Sequence, residues 1–370
     1  MDERALTERL VTYDTSTLEG IQSAAGFVKG WLEARDIEVT GTFHNGRPVL
    51  AAAVGAESGP TIVLHGHLDV VPAHPEQFVP AVEGERLYGR GAYDMKGGLA
   101  AMMCATRELA AQDRVRVRFL CVSDEESDEP DERGSDYLVA LGHTGDFAIT
   151  GEPTDLRIGV QAKGVLAMRI EVAGTSAHGS TPWLGDNAVL KAVDVFRQIE
   201  AMPFARESSE LFDRPSINLG RIVGGDALNR VPDRCLIDVD IRYVPGQDAQ
   251  DILAAVGALP DVRVTKVFHR TPAIVSRDDP YVRTLAEAIS SIRPAGERMS
   301  VGRDGASDAI SFLQAGIPAV ECGPVGAGHH GPAEWVSIPS LVDYRKTLVE
   351  FARLVGERAA AGRERRLRIA

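Results

Sequence analysis

The chain has 370 residues, 44% of them hydrophobic and 25% charged, an ordinary globular balance that excludes a disordered chain, a collagen-like repeat and a coiled-coil rod. With 40 Lys and Arg against 53 Asp and Glu the net charge is −13, so the surface as a whole repels nucleic acid and anionic lipid. No apolar run approaches the roughly 18 residues of a membrane span, and the start, MDERALTERL, lacks the basic-then-apolar layout of a secretory signal. A cytoplasmic protein with neither nucleic-acid nor membrane partners is expected.

Over the first 160 residues, short Val- and Ile-rich runs alternate with longer helical patterns, which predicts an α/β layer structure with a mostly parallel sheet. Thr61 to Leu64, Arg116 to Val122 and Asp146 to Thr150 read as strands, and Gly98 to Ala111 as a packed helix. From about Lys163 the texture changes. VLAMRIEVAG, Ser216 to Ile222 and Cys235 to Tyr243 alternate as strands, while Asp186 to Ile199 and Asp248 to Leu259 read as helices. Two helices and three or so strands make a smaller α+β unit. The α/β texture then returns, with Pro280 to Ile292 helical and Ile317 to Cys322 a buried strand. The expected organisation is a discontinuous first domain, 1–162 and 271–370, interrupted by an inserted second domain, 163–270. Cys104, Cys121, Cys235 and Cys322 form no CxxC pair and read as buried thiols. Trp183 reads as structural, His65 as packed, His44, His74, His143 and His269 as surface residues, and the basic tail Arg363 to Arg368 as a helix end.

Chemistry gathers where apolar runs stop. TIVL ends in His65, Gly66, His67, Leu68 and Asp69; VRVRFLCVS ends in Asp124, Glu125 and Glu126; DFAIT ends in Gly151 and Glu152; IPAVECG leads to His329 and His330. Asp94 joins them in GRGAYDMKGG, just before a predicted helix. Ligands in open α/β sheets bind outside the carboxyl ends of the strands, so these residues define one candidate site. Converging carboxylates and imidazoles without comparable Lys or Arg repel one another unless a cation sits between them. The mixture of imidazole and carboxylate favours a zinc-type hydrolytic centre, zinc or cobalt, over magnesium or calcium. Two divalent ions fit the count better than one, with Asp94 bridging and a water between ions roughly 3.5–4 Å apart. Glu125, beside Glu126, is then free to take that water's proton as general base.

The set HGHLDVVP, GRGAYDMKGG, SDEE, GEPT and HGPAE, in that order across nearly the whole chain, resembles the M20 family of dinuclear metallohydrolases, which includes acetylornithine deacetylases, succinyl-diaminopimelate desuccinylases, aminoacylases and carboxypeptidases. The resemblance implies that His67 and Glu152 are terminal ligands of one metal, Glu126 and His330 those of the other, Asp94 the bridge and Glu125 the base. Family spacing, a His four residues before Glu334, selects His330 over His329. Asp69 matches the carboxylate that orients the ligand imidazole. The inserted unit becomes a lid and dimerisation domain, with His178 of GTSAHGSTP entering the partner subunit's active site to stabilise the oxyanion. Asn229 and Arg242 match positions that grip the substrate carboxylate, and Ser307 belongs to a Ser-Asp pair associated with substrate. The resemblance also suggests a cis peptide at Asp94–Met95. One departure stands out: relatives of the desuccinylases often have a glycine-rich stretch before that pair, whereas here GRDGASDA places Arg303 and Asp304 there.

The expected activity is metal-dependent hydrolysis of the amide bond of an N-acyl amino acid by a metal-activated water, in a homodimer acting on small molecules. The alternative within the family is a carboxypeptidase or dipeptidase. A non-catalytic metal-binding protein is the alternative of a different class, and an unligated Glu125 argues against it. A phosphate-loop reading of Gly89 to Gly98 fails, since that segment lacks both GxGxxG and the P-loop spacing.

Overall fold

Runs of four to seven apolar residues, too short for helices, become the centre of a sheet in the computed structural model, which describes residues 1–127, 133–293, 299–305 and 307–369. The chain opens with α1 (Glu3–Val11) and α2 (Leu18–Glu33), then β1 (Val39–His44), β2 (Arg47–Gly55) and β3 (Thr61–His67). Short strands β4 (Ala81–Glu83) and β5 (Arg86–Tyr88) precede α3 (Gly97–Leu109), β6 (Arg116–Val122), α4 (Gly134–Ala140), β7 (Phe147–Thr150) and β8 (Ile158–Ala162). There follow β9 (Gly164–Ala173), α5 (Ala188–Ala201), β10 (Ser216–Gly224), β11 (Arg234–Tyr243), α6 (Ala249–Gly257), β12 (Val262–Arg270) and β13 (Ala273–Ile274). The last stretch holds α7 (Pro280–Ile292), β14 (Ser300–Arg303), α8 (Ala309–Gln314), β15 (Ala319–Glu321), β16 (Gly326–Ala327), β17 (Trp335–Ser337) and α9 (Ile338–Ile369). Two compact units result: Met1–Val160 with Val275–Val301 and Asp308–Ala370, and Gln161–Ile274 with Gly302–Ser307.

In the first unit the strand order β1-β2-β6-β3-β7-β15-β8 gives the α/β class expected from the sequence. The four central strands, β6, β3, β7 and β15, run parallel, and the flanking strands pair antiparallel. Parallel strands are covered on both faces, which is why β3 is buried from Ile62 onwards. One face carries α4 and α8, through Leu138, Ala309 and Phe312 packed on Val63, Leu120 and Val122. On the other lies α3, close enough that a Cβ at Gly66 would meet Leu99. His67 lies opposite Val122 in the β3–β6 register and His65 opposite Thr150 in the β3–β7 register, so three strands end together.

The second unit is an antiparallel sheet, β10-β11-β9-β12, with α5 and α6 against it through Phe196, Ile199, Ile252 and Val256. Both helices begin at residues whose carboxylate or amide oxygen accepts the first backbone N–H groups, Asn187 and Asp248. It holds one full strand beyond those expected: β12, an exposed edge strand with a register shift between Val264 and Lys266. The four cysteines are buried, and burial holds their thiols above the ordinary range. Two expectations are corrected. His44 is buried, stacked on Tyr137 with ring centroids 4.7 Å apart. Trp183 is 75% exposed and packs in no core. Arg363 to Arg368 lie within the span of α9. No helix among the described residues is long and apolar enough to cross a membrane.

Candidate metal centre

His67 closes β3, buried, with its two ring nitrogens facing different partners. Nδ1–H donates to the backbone oxygen of Asp69 at 3.0 Å, and the Asp69 carboxylate stands 3.6 Å from the same nitrogen. In the neutral ring, Nε2 is therefore the lone-pair side. It is buried without a hydrogen-bond partner, 3.4 Å from Asp94 Oδ1 and 3.6 Å from Glu152 Oε1. The other Asp94 oxygen, Oδ2, lies 3.4 Å from His330 Nε2, which is also 2.8 Å from Glu126 Oε1. Asp94 thus presents one oxygen to each imidazole, as a bridging carboxylate does. The donor atoms of His67, Asp94 and Glu126 fall within 4.8 Å of one another.

Four loops and turns deliver the side chains that meet His67. The loop after β6 brings Glu126, whose N–H donates to Asp69 Oδ2 at 2.8 Å. The loop after β7 brings Glu152, and it passes so close to α3 that a Cβ on Gly98 would lie 2.4 Å from the Gly151 oxygen; only glycine fits there. Asp94 sits in an irregular turn before α3 with φ −117° and ψ 96° and a cis peptide to Met95, the isomer the sequence resemblance suggests. His330 has φ +61° in a turn closed by the Gly331 N–H to the Gly328 oxygen. His329, its neighbour, makes an edge-type ring contact with Tyr93, centroids 6.0 Å apart.

The electrostatics describe a site that lacks positive charge. Among the described residues none of Asp94, Glu125, Glu126 or Glu152 takes a Lys or Arg side chain as partner. Burial pushes Glu152 well above the usual carboxylate range, and Asp94, Glu125 and Glu321 add to it. Desolvation raises Glu125 in the same way, reinforced by Asp308, Glu126 and Asp94 and opposed by His67. Burial alone would raise Asp94, but His330 and His67 hold it well below its ordinary value. His330 is pushed up to about 10 by Asp94 and Glu126. His67 is held well above its usual value, Asp69, Asp94 and Glu152 outweighing its burial. Protons on the imidazoles stand in for cations, and an orphaned imidazole nitrogen facing carboxylates is a donor set fitted to a divalent metal.

Two residues that the strand-end pattern does not single out hold this arrangement. The buried Glu334 carboxylate accepts from the backbone N–H groups of Gly91, Tyr93 and Asp94 at 2.9, 3.0 and 3.0 Å. Arg90 donates to it at 2.7 Å and also to the backbone oxygens of His330 and Gly331, both at 3.1 Å. Beneath the centre, His65 bonds Ser135 Oγ at 2.8 Å, and that hydroxyl donates to Asp308 at 2.6 Å. Burial lowers His65 to about 4, so it is neutral and packed, as the sequence reading had it.

The remaining candidates belong to the second unit. His178 is exposed, its Nδ1 accepting from the Ser180 N–H at 3.2 Å with Ser180 Oγ at 2.8 Å. Asn229 lies beside it, its backbone oxygen accepting from the Gly179 N–H at 2.7 Å. Arg242 is paired with Asp240 along β11 at 3.0 Å. Ser307 is buried, and Lys163 meets Asp304 at 2.7 Å.

The model of the peptidase family M20/M25/M40 matches residues 63–354, a span that contains every residue of this centre. The chain belongs to that family. A succinyl-diaminopimelate desuccinylase of Leptothrix cholodnii is 32% identical over 320 residues, covering 80% of this chain and 83% of the relative. Among solved structures, an M20 family metallo-carboxypeptidase from Sulfolobus solfataricus superposes with a TM-score of 0.79 at 20% identity, covering 96% of this chain and 100% of that one. A tripeptidase from Staphylococcus aureus gives a TM-score of 0.77 at 21% identity, covering 96% and 98%. The M20 chain is therefore a hydrolase of a metal-dependent family, and His67, Asp94 and Glu126 form its metal-competent cluster.

Proposed function

We propose that this M20 enzyme hydrolyses the amide bond of an N-acyl amino acid at a centre for two divalent ions, zinc or cobalt. His67 and Glu152 would hold one ion, His330 and Glu126 the other, and Asp94 would lie between them. The observation that carries the reading is the division of Asp94, whose two oxygens each stand 3.4 Å from a different imidazole. Bound metal would polarise the scissile carbonyl and acidify the attacking water.

The chain's own groups do the rest. Glu125 follows β6 beside Glu126 but lies outside the ligand pairs, and its desolvated carboxylate has a raised proton affinity. It takes the proton of the attacking water and returns it to the departing nitrogen. Asp69 fixes the tautomer of His67 through Nδ1. His178 accepts at Nδ1 from the Ser180 N–H, so the neutral ring carries its proton on Nε2. That makes Nε2 a donor for the negative charge that develops on the carbonyl oxygen. Asn229, beside His178, Arg242 and Ser307 are the proposed contacts to the substrate's carboxylate end.

The proposal includes a homodimer formed through the second unit, and exposed apolar side chains there support it. Leu190 and Val193 on α5, Ile222 and Val223 on the edge strand β10, Trp183 and Leu184 in the short 3-10 turn Pro182–Leu184, and Leu228 in a loop are all exposed large apolar side chains. Large apolar side chains left in solvent support an interaction surface on this unit.

The test is a panel of acetyl- and succinyl-amino acids beside dipeptides, assayed on zinc- and cobalt-loaded protein. Acyl-amino acids should be cleaved, metal analysis should give about two ions per chain, and exhaustive chelation should abolish turnover. Full activity after chelation overturns the metal reading; cleavage of dipeptides alone moves the substrate to the carboxypeptidase or dipeptidase alternative.

A further inference from the structure

On the first unit, the face of β2 and β6 that α4 and α8 cover further along opens into a cavity of about 430 Å³. Its origin is local. The seven-residue α4 stops at Ala140, and Gly142, at φ +83°, reverses the chain. The Gly142 N–H bonds the Val139 oxygen and the His143 N–H the Leu138 oxygen, which caps the helix and swings His143 into the cavity wall. Beyond the helix, the floor is Ala51 and Ala53 of β2, beside Thr40 of β1, and their small side chains leave the space unfilled.

Arg116 and Arg118 line the cavity two residues apart on β6, so both side chains leave the same face, about 7 Å apart along the strand. Arg118 is held in place by donating Nη1–H to the Gly142 oxygen, while its Nε–H is buried without a hydrogen-bond partner. In a chain with 53 acidic residues, neither arginine forms an ion pair with a carboxylate of the described residues. Glu38, the one acidic lining residue, is exposed and pairs with neither. Burial, followed by the charge of Arg116, lowers the proton affinity of Arg118, and burial with Arg118 does the same to His143.

We propose that this cavity binds a small organic anion, its carboxylate or phosphate group meeting Arg116 and Arg118 and its body lying over the alanine floor. Guanidinium forks match both kinds of oxyanion, and an oxyanion relieves the repulsion between them. The space exceeds that of a bare inorganic ion, which is why an organic body belongs to the proposal. The site is separate from the metal centre: Arg118 lies four residues, about 13 Å, before the end of β6, and Glu125 and Glu126 come after that end.

The test is calorimetric titration of the full-length, metal-loaded protein at constant ionic strength with inorganic phosphate, glycerol 3-phosphate and succinate, chloride serving as control. At least one organic anion should bind saturably. Arg118→Gln and Arg116→Gln should each weaken it by about tenfold or more, the loss expected for a charge-assisted hydrogen bond. Ala53→Leu should abolish binding by filling the floor. Because Arg118 is tied to Gly142 and its loss could disturb folding, Arg116→Gln and Ala53→Leu, at partly or fully exposed positions, carry the decision. Hydrolysis should persist in both, since neither residue touches the metal centre. Preference for glycerol 3-phosphate identifies a phosphate ester as the ligand class, and preference for succinate a carboxylic acid. No saturable binding, binding matched by chloride, or binding unchanged in both deciding variants overturns the proposal.

Discussion

Glu125 and Glu126 are neighbours with different surroundings. Glu126 is engaged with His330 through Oε1 and with Asp69 through its N–H. Glu125 makes no side-chain ion pair among the described residues, while Arg133 holds its backbone oxygen at 2.7 Å. Glu125→Gln should keep the proposed metal pair and lose turnover by about 10²–10⁴, the usual yield of a positioned acid–base group. Glu126→Ala should instead lower metal content, measured by elemental analysis after dialysis. If Glu125→Gln strips metal and Glu126→Gln does not, the two roles are reversed. At this scale the sequence is informative because a carboxylate or imidazole directly after a buried apolar strand has few other reasons to be there. His67, Glu126 and Glu152 share that signature. His44 misleads because it stands in an edge strand whose pattern resembles surface, and only tertiary packing places Tyr137 against it.

Among the elements, the small sheet β16-β17-β5-β4 explains how His330 reaches Asp94 across more than 230 residues of sequence. Trp335 pairs with Tyr88, and the Gly89 N–H bonds the Glu334 backbone oxygen at 3.1 Å. The Arg90–Glu334 pair then ties the Asp94 turn to the His330 turn. Glu334→Ala leaves a buried guanidinium without its carboxylate and three backbone N–H groups without an acceptor. It should cost about 3–5 kcal/mol in urea unfolding and weaken metal binding in titration, because both turns loosen together. Glu334→Gln keeps one acceptor oxygen and should lose less of both; an Ala variant with wild-type stability and metal affinity refutes the positioning role. Nothing in HGPAE announces this duty, since the partners of Glu334 are mainly backbone groups of a distant turn. The central strands and most helices are legible in the sequence, because unbroken apolar runs and Asn or Asp caps report local physics. β2 is less legible: RPVLAAAVG is alanine-rich, and alanine carries little strand preference. β12 escapes notice because an exposed edge strand buries little of either face.

On the scale of the whole molecule, the proposed metal ligands and Glu125 all lie in the first unit, whereas His178 and Asn229 lie in the second, in adjoining loops. The proposed reaction needs a donor for the carbonyl oxygen, and such a donor typically contributes about 10²–10³ in rate. His178 has the right tautomer and no partner on Nε2 among the described residues. Its loop also carries Trp183 and Leu184 into solvent, 75% and 70% exposed, which supports the proposed contact with a second chain. A C₂ dimer built on this unit would make the exchange of His178 reciprocal, one donor for each active site. Mixing inactive Glu125→Gln chains with inactive His178→Ala chains decides the matter. In a heterodimer with trans exchange, one site has an intact Glu125 and receives an intact His178, while the other has neither. With random reassortment half the dimers are mixed, so about a quarter of wild-type activity should return. If subunit exchange is demonstrated by mass and the mixture stays inactive, His178 acts within its own chain or not at all, and a dimer would then have no part in the chemistry.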